Sequence, residues 1–207
     1  MFRIQKLLLL TLYSFGYLMI FFTFSSFMTP AYGKETTGIP SLGKGGYEVI
    51  MFTDYFCPYC RDSYIKAEPL FRELLATGKV KIIFVDVPFS KATPIYARYF
   101  LYAVQANASM DNVLHVRELL FEAALTKRIQ TADALAAYLK EQKIKWKTMD
   151  EKTIFPMWGM LIKQHAVRQI PACIIRYSAT DSKKVVGDND IWNGLVQLKT
   201  HIARLRK

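Results

Sequence analysis

Val49-Ile50-Met51-Phe52-Thr53-Asp54-Tyr55-Phe56-Cys57-Pro58-Tyr59-Cys60 carries an apolar run into two cysteines separated by two residues. Tyr47 to Thr53 has the composition of a buried strand, and Arg61 to Ala76 places apolar residues at helical spacing. Cys57 therefore falls at or just before a helix N-terminus. Unpartnered backbone N–H groups and the positive end of the helix dipole favour thiolate over thiol there. Pro58 fits the first helical turn, because it gives up an N–H that has no intrahelical partner. Cys60, one turn on, lies beside Cys57, and the pair can cycle between dithiol and disulfide.

A zinc site would need two more ligands, and the chain offers only Cys173, His115, His165 and His201, none at ligand spacing. A purely structural bridge across two residues closes too small a loop to constrain the unfolded chain much. The pair therefore points to redox chemistry, with no metal and no cofactor. His115 and His165 read as surface or packed histidines.

Arg3 and Lys6 precede a run from Leu7 to Met28 that has no charged residue. Residues 1–33 are expected to be an export signal, either cleaved after the small residues of Ala31-Tyr32-Gly33 or retained as a membrane anchor. Both outcomes leave Arg3 and Lys6 in the cytoplasm and send the rest to the periplasm or extracytoplasmic face. Three cysteines are too few for a disulfide-stapled exported fold, so 52% hydrophobic residues must supply a core. The formal net charge of +11 becomes +9 without Arg3 and Lys6. That balance suits a solvated basic surface or attraction to acidic lipid or client chains. No basic motif interleaved with aromatics points to nucleic acid.

Residues 34–46, with five residues that are glycine or proline, read as a linker too short to hold a dimerisation domain, and a monomer is expected. Gly78 ends the first helix, and Val80 to Val87 reads as a second strand buried on both faces. Strand, helix and strand make a parallel βαβ unit with the cysteines at the carboxyl end of the first strand, where open α/β sheets place their chemistry. Pro69 is expected to kink or interrupt the helix near Glu68.

Residues 94–166 read as all-helical: Ile95 to Ala106, Val113 to Leu125, Ala132 to Gln142 behind a Thr131 cap, and a further helix starting at Pro156. Met149, Phe155, Met157, Trp158 and Met160 there suit either core packing or an adaptable apolar groove. Val167 to Ile175 then gives a strand that Pro171 can only open or edge. Val185 and Val186 offer another strand. Asn189 or Asp190 would cap a last helix from Ile191 to about Leu205.

Taken together, the Phe52 to Cys60 segment, the helical block and Val167-Arg168-Gln169-Ile170-Pro171 ahead of a strand resemble a DsbA-like thiol:disulfide oxidoreductase of the thioredoxin superfamily. The resemblance covers roughly Tyr47 to the C-terminus. It implies an α/β thioredoxin fold, residues 47–93 and 167–207, interrupted by the helical insert 94–166. It also implies that Cys57 and Cys60 are catalytic, that Ile170-Pro171 is a cis bond facing them, and that Ile170, Pro171 and Tyr59 contact substrate. The partners implied are cysteine-containing exported client proteins and a membrane redox partner that reoxidises or reduces the pair.

Two positions depart from the family pattern. Met51 stands where many thioredoxin-like proteins carry a buried acid, so the Cys60 proton needs another acceptor. Tyr59 cannot be protonated as a histidine can, which removes one source of thiolate stabilisation and implies a weaker oxidant. The Pro58-Tyr59 pair leaves the direction of electron flow open. A dithiol oxidase, a reductase or isomerase kept reduced by a membrane donor, and a redox-inactive chaperone subunit are the functions to be weighed. Cys173, two residues past Pro171, reads as a small buried hydrophobe or an auxiliary redox partner.

Overall fold

A computed structural model describes residues 38–205. The expected export segment, residues 34–37 of the expected linker and the basic residues Arg206 and Lys207 lie outside the described residues. Five strands and six helices follow in order: β1 (Ser41–Leu42), β2 (Tyr47–Thr53), α1 (Pro58–Ala76), β3 (Val80–Asp86), α2 (Thr93–Ala106), α3 (Met110–Leu125), α4 (Ala132–Glu141), α5 (Ile154–Gln164), β4 (Ala172–Arg176), β5 (Ser182–Val186) and α6 (Asp188–Arg204). The sheet order is β1-β3-β2-β4-β5. β2 and β3 pair in parallel from Tyr47↔Val80 to Thr53↔Asp86, and β4 and β5 add antiparallel strands beyond β2. This is a thioredoxin-like α/β core with the helices α2 to α5 inserted between β3 and β4.

Alternation along β2 and β3 builds two apolar layers. Val49 and Met51, with Ile82 and Phe84, pack among α1, α6 and the insert helices α3 and α4. Ile50 and Phe52, with Ile83 and Val85, pack against α2 and α5 through Ala97, Leu101, Trp158 and Leu161. A strand buried on both faces needs apolar residues throughout, as β2 and β3 have. Glu48, the charged residue inside β2, is paired by Arg176 from β4 at 2.7 Å and by Lys81 from β3 at 2.5 Å.

Three expectations change. Ser41 and Leu42 of the expected linker form an edge strand antiparallel to β3, with Ile39 and Leu42 buried. The glycines there serve close approach: a Cβ at Gly45 would lie 1.8 Å from the Lys79 carbonyl carbon. Helix α1 runs unbroken through Pro69. Pro69 has no N–H for the carbonyl of Ile65, and both residues are exposed, where such a gap is least costly. Helix α6 begins at Asp188 behind Gly187 (φ 88°), ahead of the expected caps. Lys66 Nζ holds Asn189 Oδ1 at 2.6 Å and Asp188 Oδ2 at 3.3 Å, so those side chains are committed elsewhere.

In the insert, Thr131 caps α4 by accepting from Ala134 N–H, and α5 starts two residues before Pro156. Trp158 is buried, while Met149, Phe155 and Met157 pack against the second layer and Met160 is exposed. Core packing thus takes most of that apolar set. Phe155 and Trp158 also line a small apolar hollow of about 190 Å³ with Pro94, Ala97 and Ile162.

Candidate active site

β2 ends at Thr53, and the chain turns at once: Cys57 N–H donates to the Asp54 carbonyl at 3.1 Å. Cys57 is the N-cap of α1, with Pro58 in the first turn. Its sulfur accepts the Cys60 N–H at 3.2 Å, the capping role usually filled by a serine or aspartate oxygen. Cys57 is half-buried, Cys60 is buried, and both are thiols.

The helix tip separates the two thiols chemically. The Cys60 S–H donates to the Cys57 sulfur, and this bond lowers the Cys57 pKa to about 7 against the opposition of partial burial, with the Cys60 N–H adding to it. The same bond, with burial, pushes Cys60 far up. The Cys60 proton therefore stays on Cys60 and supports a thiolate at Cys57. Met51, where an acid would have served Cys60, is buried opposite Cys173 across the β2–β4 ladder. Cys173 is itself fully buried, and burial raises its pKa.

Of the expected site residues, the structure gathers Tyr59, Ile170 and Pro171 around one hollow, whose lining does not include Cys57 or Cys60. Ile170–Pro171 is a cis bond, and Ile170, Pro171 and Tyr59 line this hollow of about 640 Å³ with Gln169, Val186 and Phe89. Tyr59 is 76% exposed and Phe89 62%, an unusual exposure for two large aromatics. Pro171 is fixed from behind, since its carbonyl accepts Gly187 N–H at 2.9 Å. His115 is exposed on α3, and His165 sits edge-on to Phe52, 6.1 Å between ring centroids. Among the described residues no group of three or more His, Cys, Asp or Glu is placed to hold a metal ion.

Sequence reasoning missed two features beneath the cysteines. Asp54 is buried, and its carboxylate accepts Phe56 N–H at Oδ1 (2.8 Å). At Oδ2 it accepts Phe89 N–H (3.0 Å), Ser90 N–H (3.0 Å) and Thr93 Oγ1 (2.7 Å). The clamp joins the cysteine turn to the β3–α2 loop that carries Phe89. Its signal was a lone acid closing an apolar run. The second feature is Arg117 of α3, fully buried. Its guanidinium donates to Asp86 Oδ1 (3.1 and 3.2 Å), Tyr55 Oη (2.9 Å) and Thr53 Oγ1 (2.7 Å). The rings of Phe84, Phe100 and Tyr55 surround it at 4.4 to 4.9 Å. Its signal was a cation four residues from Val113, inside the apolar stripe of its helix.

Known proteins share this fold. A family model described as thioredoxin matches residues 44–184, from just before β2 into β5. No curated protein matches the chain. Among solved structures, a periplasmic thioredoxin-like protein from Salmonella enterica serovar Typhimurium is 22% identical at a TM-score of 0.58, covering 79% of this chain and 90% of its own. BdbD from Bacillus subtilis is 19% identical at 0.62, covering 82% and 95%. Alpha-DsbA1 from Wolbachia pipientis is 14% identical at 0.61, covering 83% and 96%. At such identities the likeness is one of fold, and that fold is DsbA-like. With the strand, thiol turn, helix and cis-proline strand all inside the matched span, the chain belongs to the thioredoxin family.

Proposed function

We propose that the protein is an exported dithiol oxidase that introduces disulfides into translocated proteins through Cys57 and Cys60. The observation that carries this reading is the Cys57 sulfur itself. It caps α1, accepts from Cys60, and has its pKa lowered to about 7. In the oxidised enzyme, a client thiolate attacks Cys57 Sγ and forms a mixed disulfide; Cys60 leaves as thiolate and takes up a proton. A second client thiolate then attacks the client sulfur of that bond, and Cys57 departs as a stabilised thiolate. Two electrons pass from client sulfurs to the enzyme pair, which a membrane redox partner must reoxidise.

The client lies along the Tyr59, Ile170 and Pro171 hollow as an extended segment, with backbone contacts at the residues before β4. The working domain resides in the periplasm or on the extracytoplasmic face. The uncharged run after Lys6 supports this, as does the periplasmic description of the Salmonella relative. Replacing Cys60 with alanine should trap client proteins as mixed disulfides on Cys57. Acid quenching and alkylation of cells should find the native pair largely oxidised. A largely reduced pair would instead assign the opposite flow, a reductase or isomerase, and the absence of trapped species would leave a chaperone role.

A further inference from the structure

Asp54 places a buried negative charge inside the turn that presents Cys57. Its carboxylate is 1% exposed and accepts four hydrogen bonds, three of them on Oδ2. Three donors converge on Oδ2, so that oxygen acts only as an acceptor. All four donors are neutral: three backbone N–H groups and the Thr93 hydroxyl. The nearby buried cation does not offset it. The Arg117 guanidinium is spent on Asp86, Tyr55 and Thr53. An unpaired charge in so dry a place acts strongly on its neighbours.

The neighbour is the thiol pair. Asp54 lies three residues before Cys57, whose N–H donates to the Asp54 carbonyl at 3.1 Å, so a thiolate at Cys57 is a like charge on the same turn. We propose that Asp54 is a positioning residue that clamps the cysteine turn to the Phe89 loop and, through its charge, holds down the oxidising power of the Cys57–Cys60 pair. The proposal rests on the dithiol reading of that pair. Reduction of the disulfide takes up two electrons and leaves one sulfur as thiolate, with a proton on the other. A group that raises the energy of the thiolate favours the disulfide and makes the pair a weaker oxidant. The electrostatics agree in sign at Cys57, where the Asp54 charge acts to raise the pKa; at Cys60 the charge acts the same way, while a hydrogen bond to the Asp54 backbone, the larger effect, lowers it.

The test separates charge from clamp. Asp54→Asn removes the charge and can keep three of the four contacts by turning its oxygen toward Phe89, Ser90 and Thr93. Asp54→Ser removes the charge and keeps a short acceptor for Phe56 N–H, should the asparagine fail to fold. Thr93→Val weakens the clamp and keeps the charge. Thiolate absorbance against pH and equilibration with glutathione buffers are read on all three. Both neutral variants should titrate at lower pH and shift the equilibrium about tenfold toward the dithiol, or ~30 mV for this two-electron couple. Thr93→Val should lower the melting temperature and leave both readings within about twofold of the parent. Neutral variants that move neither reading overturn the proposal, as does a Thr93→Val shift as large as theirs. A parent protein that forms no Cys57–Cys60 disulfide in any glutathione buffer overturns the redox reading itself, and this one with it.

Discussion

The N–H of Cys60 donates to the Cys57 sulfur at 3.2 Å, so the buried cysteine of the pair supplies a donor to the half-buried one. In the reduced protein, iodoacetamide should modify Cys57 with a rate that rises through pH 7, well below the ordinary thiol range of about 8.5. Cys60 should resist until the chain unfolds. The sign for stability follows from a folded pKa below the unfolded one. The thiolate contributes stability above the unfolded thiol value, and that contribution is lost as pH falls through about 7. Unfolding of the reduced protein in urea, compared with Cys57→Ser, should show the gap shrinking between pH 9 and pH 6.

Arg117 and Asp86 form an ion pair with neither side chain exposed. Arg117→Met strands the carboxylate among aromatic rings and is expected to cost about 3–5 kcal/mol, measured by denaturant unfolding. Adding Asp86→Asn should recover part of that loss, because the partner charge goes too. Equal loss in the single and double variants would mean that the bonds to Tyr55 and Thr53 dominate.

Phe89 and Tyr59 expose aromatic surface in the lining of the hollow that also holds Ile170 and Pro171. Each truncation to alanine should raise KM for an apolar cysteine peptide roughly fivefold, about 1 kcal/mol of partly buried ring. The Cys57 titration should stay where it is. A fall in kcat with unchanged KM would count against a binding role.

Cys173 is enclosed on β4 opposite Met51. Cys173→Ala should leave turnover intact at a small stability loss. Cys173→Ser buries a hydroxyl in an apolar site and should cost about 1–3 kcal/mol unless it finds a partner. A fall in turnover for the alanine variant would revive the auxiliary redox role.

The sequence exposed what is local or periodic. The strand into Cys57, the helix behind it, the Thr131 cap and the strand opened by Pro171 are each written in neighbouring residues. The features it hid are pairings between distant segments. Asp54 meets Phe89, Ser90 and Thr93 across 35 to 39 positions, and Arg117 meets Thr53 across 64. Nothing local announces that these loops return to one another. The start of α6 was misplaced for the same reason, because Lys66, more than 120 residues earlier, bonds Asn189, one of the two expected caps, together with Asp188. The Ser41–Leu42 edge strand was obscured by glycines that read as flexible spacing, though Gly45 is there to let two backbones touch.

β2 lies at the middle of the five-stranded order, paired with β3 along its length and with β4 from Glu48 to Phe52. Its amides are shielded from both flanks, and the Tyr47–Thr53 segment should exchange hydrogen only when the whole domain opens. The loop after β3, tied to the cysteine turn by the Asp54 carboxylate, should exchange its amides faster than β2 does. The cysteines thus hang from the central strand of the sheet, while Phe89 stands on a loop tied to their turn through the Asp54 carboxylate. A change at Phe89 should therefore alter what the hollow binds and leave the strand that aims the sulfur in place.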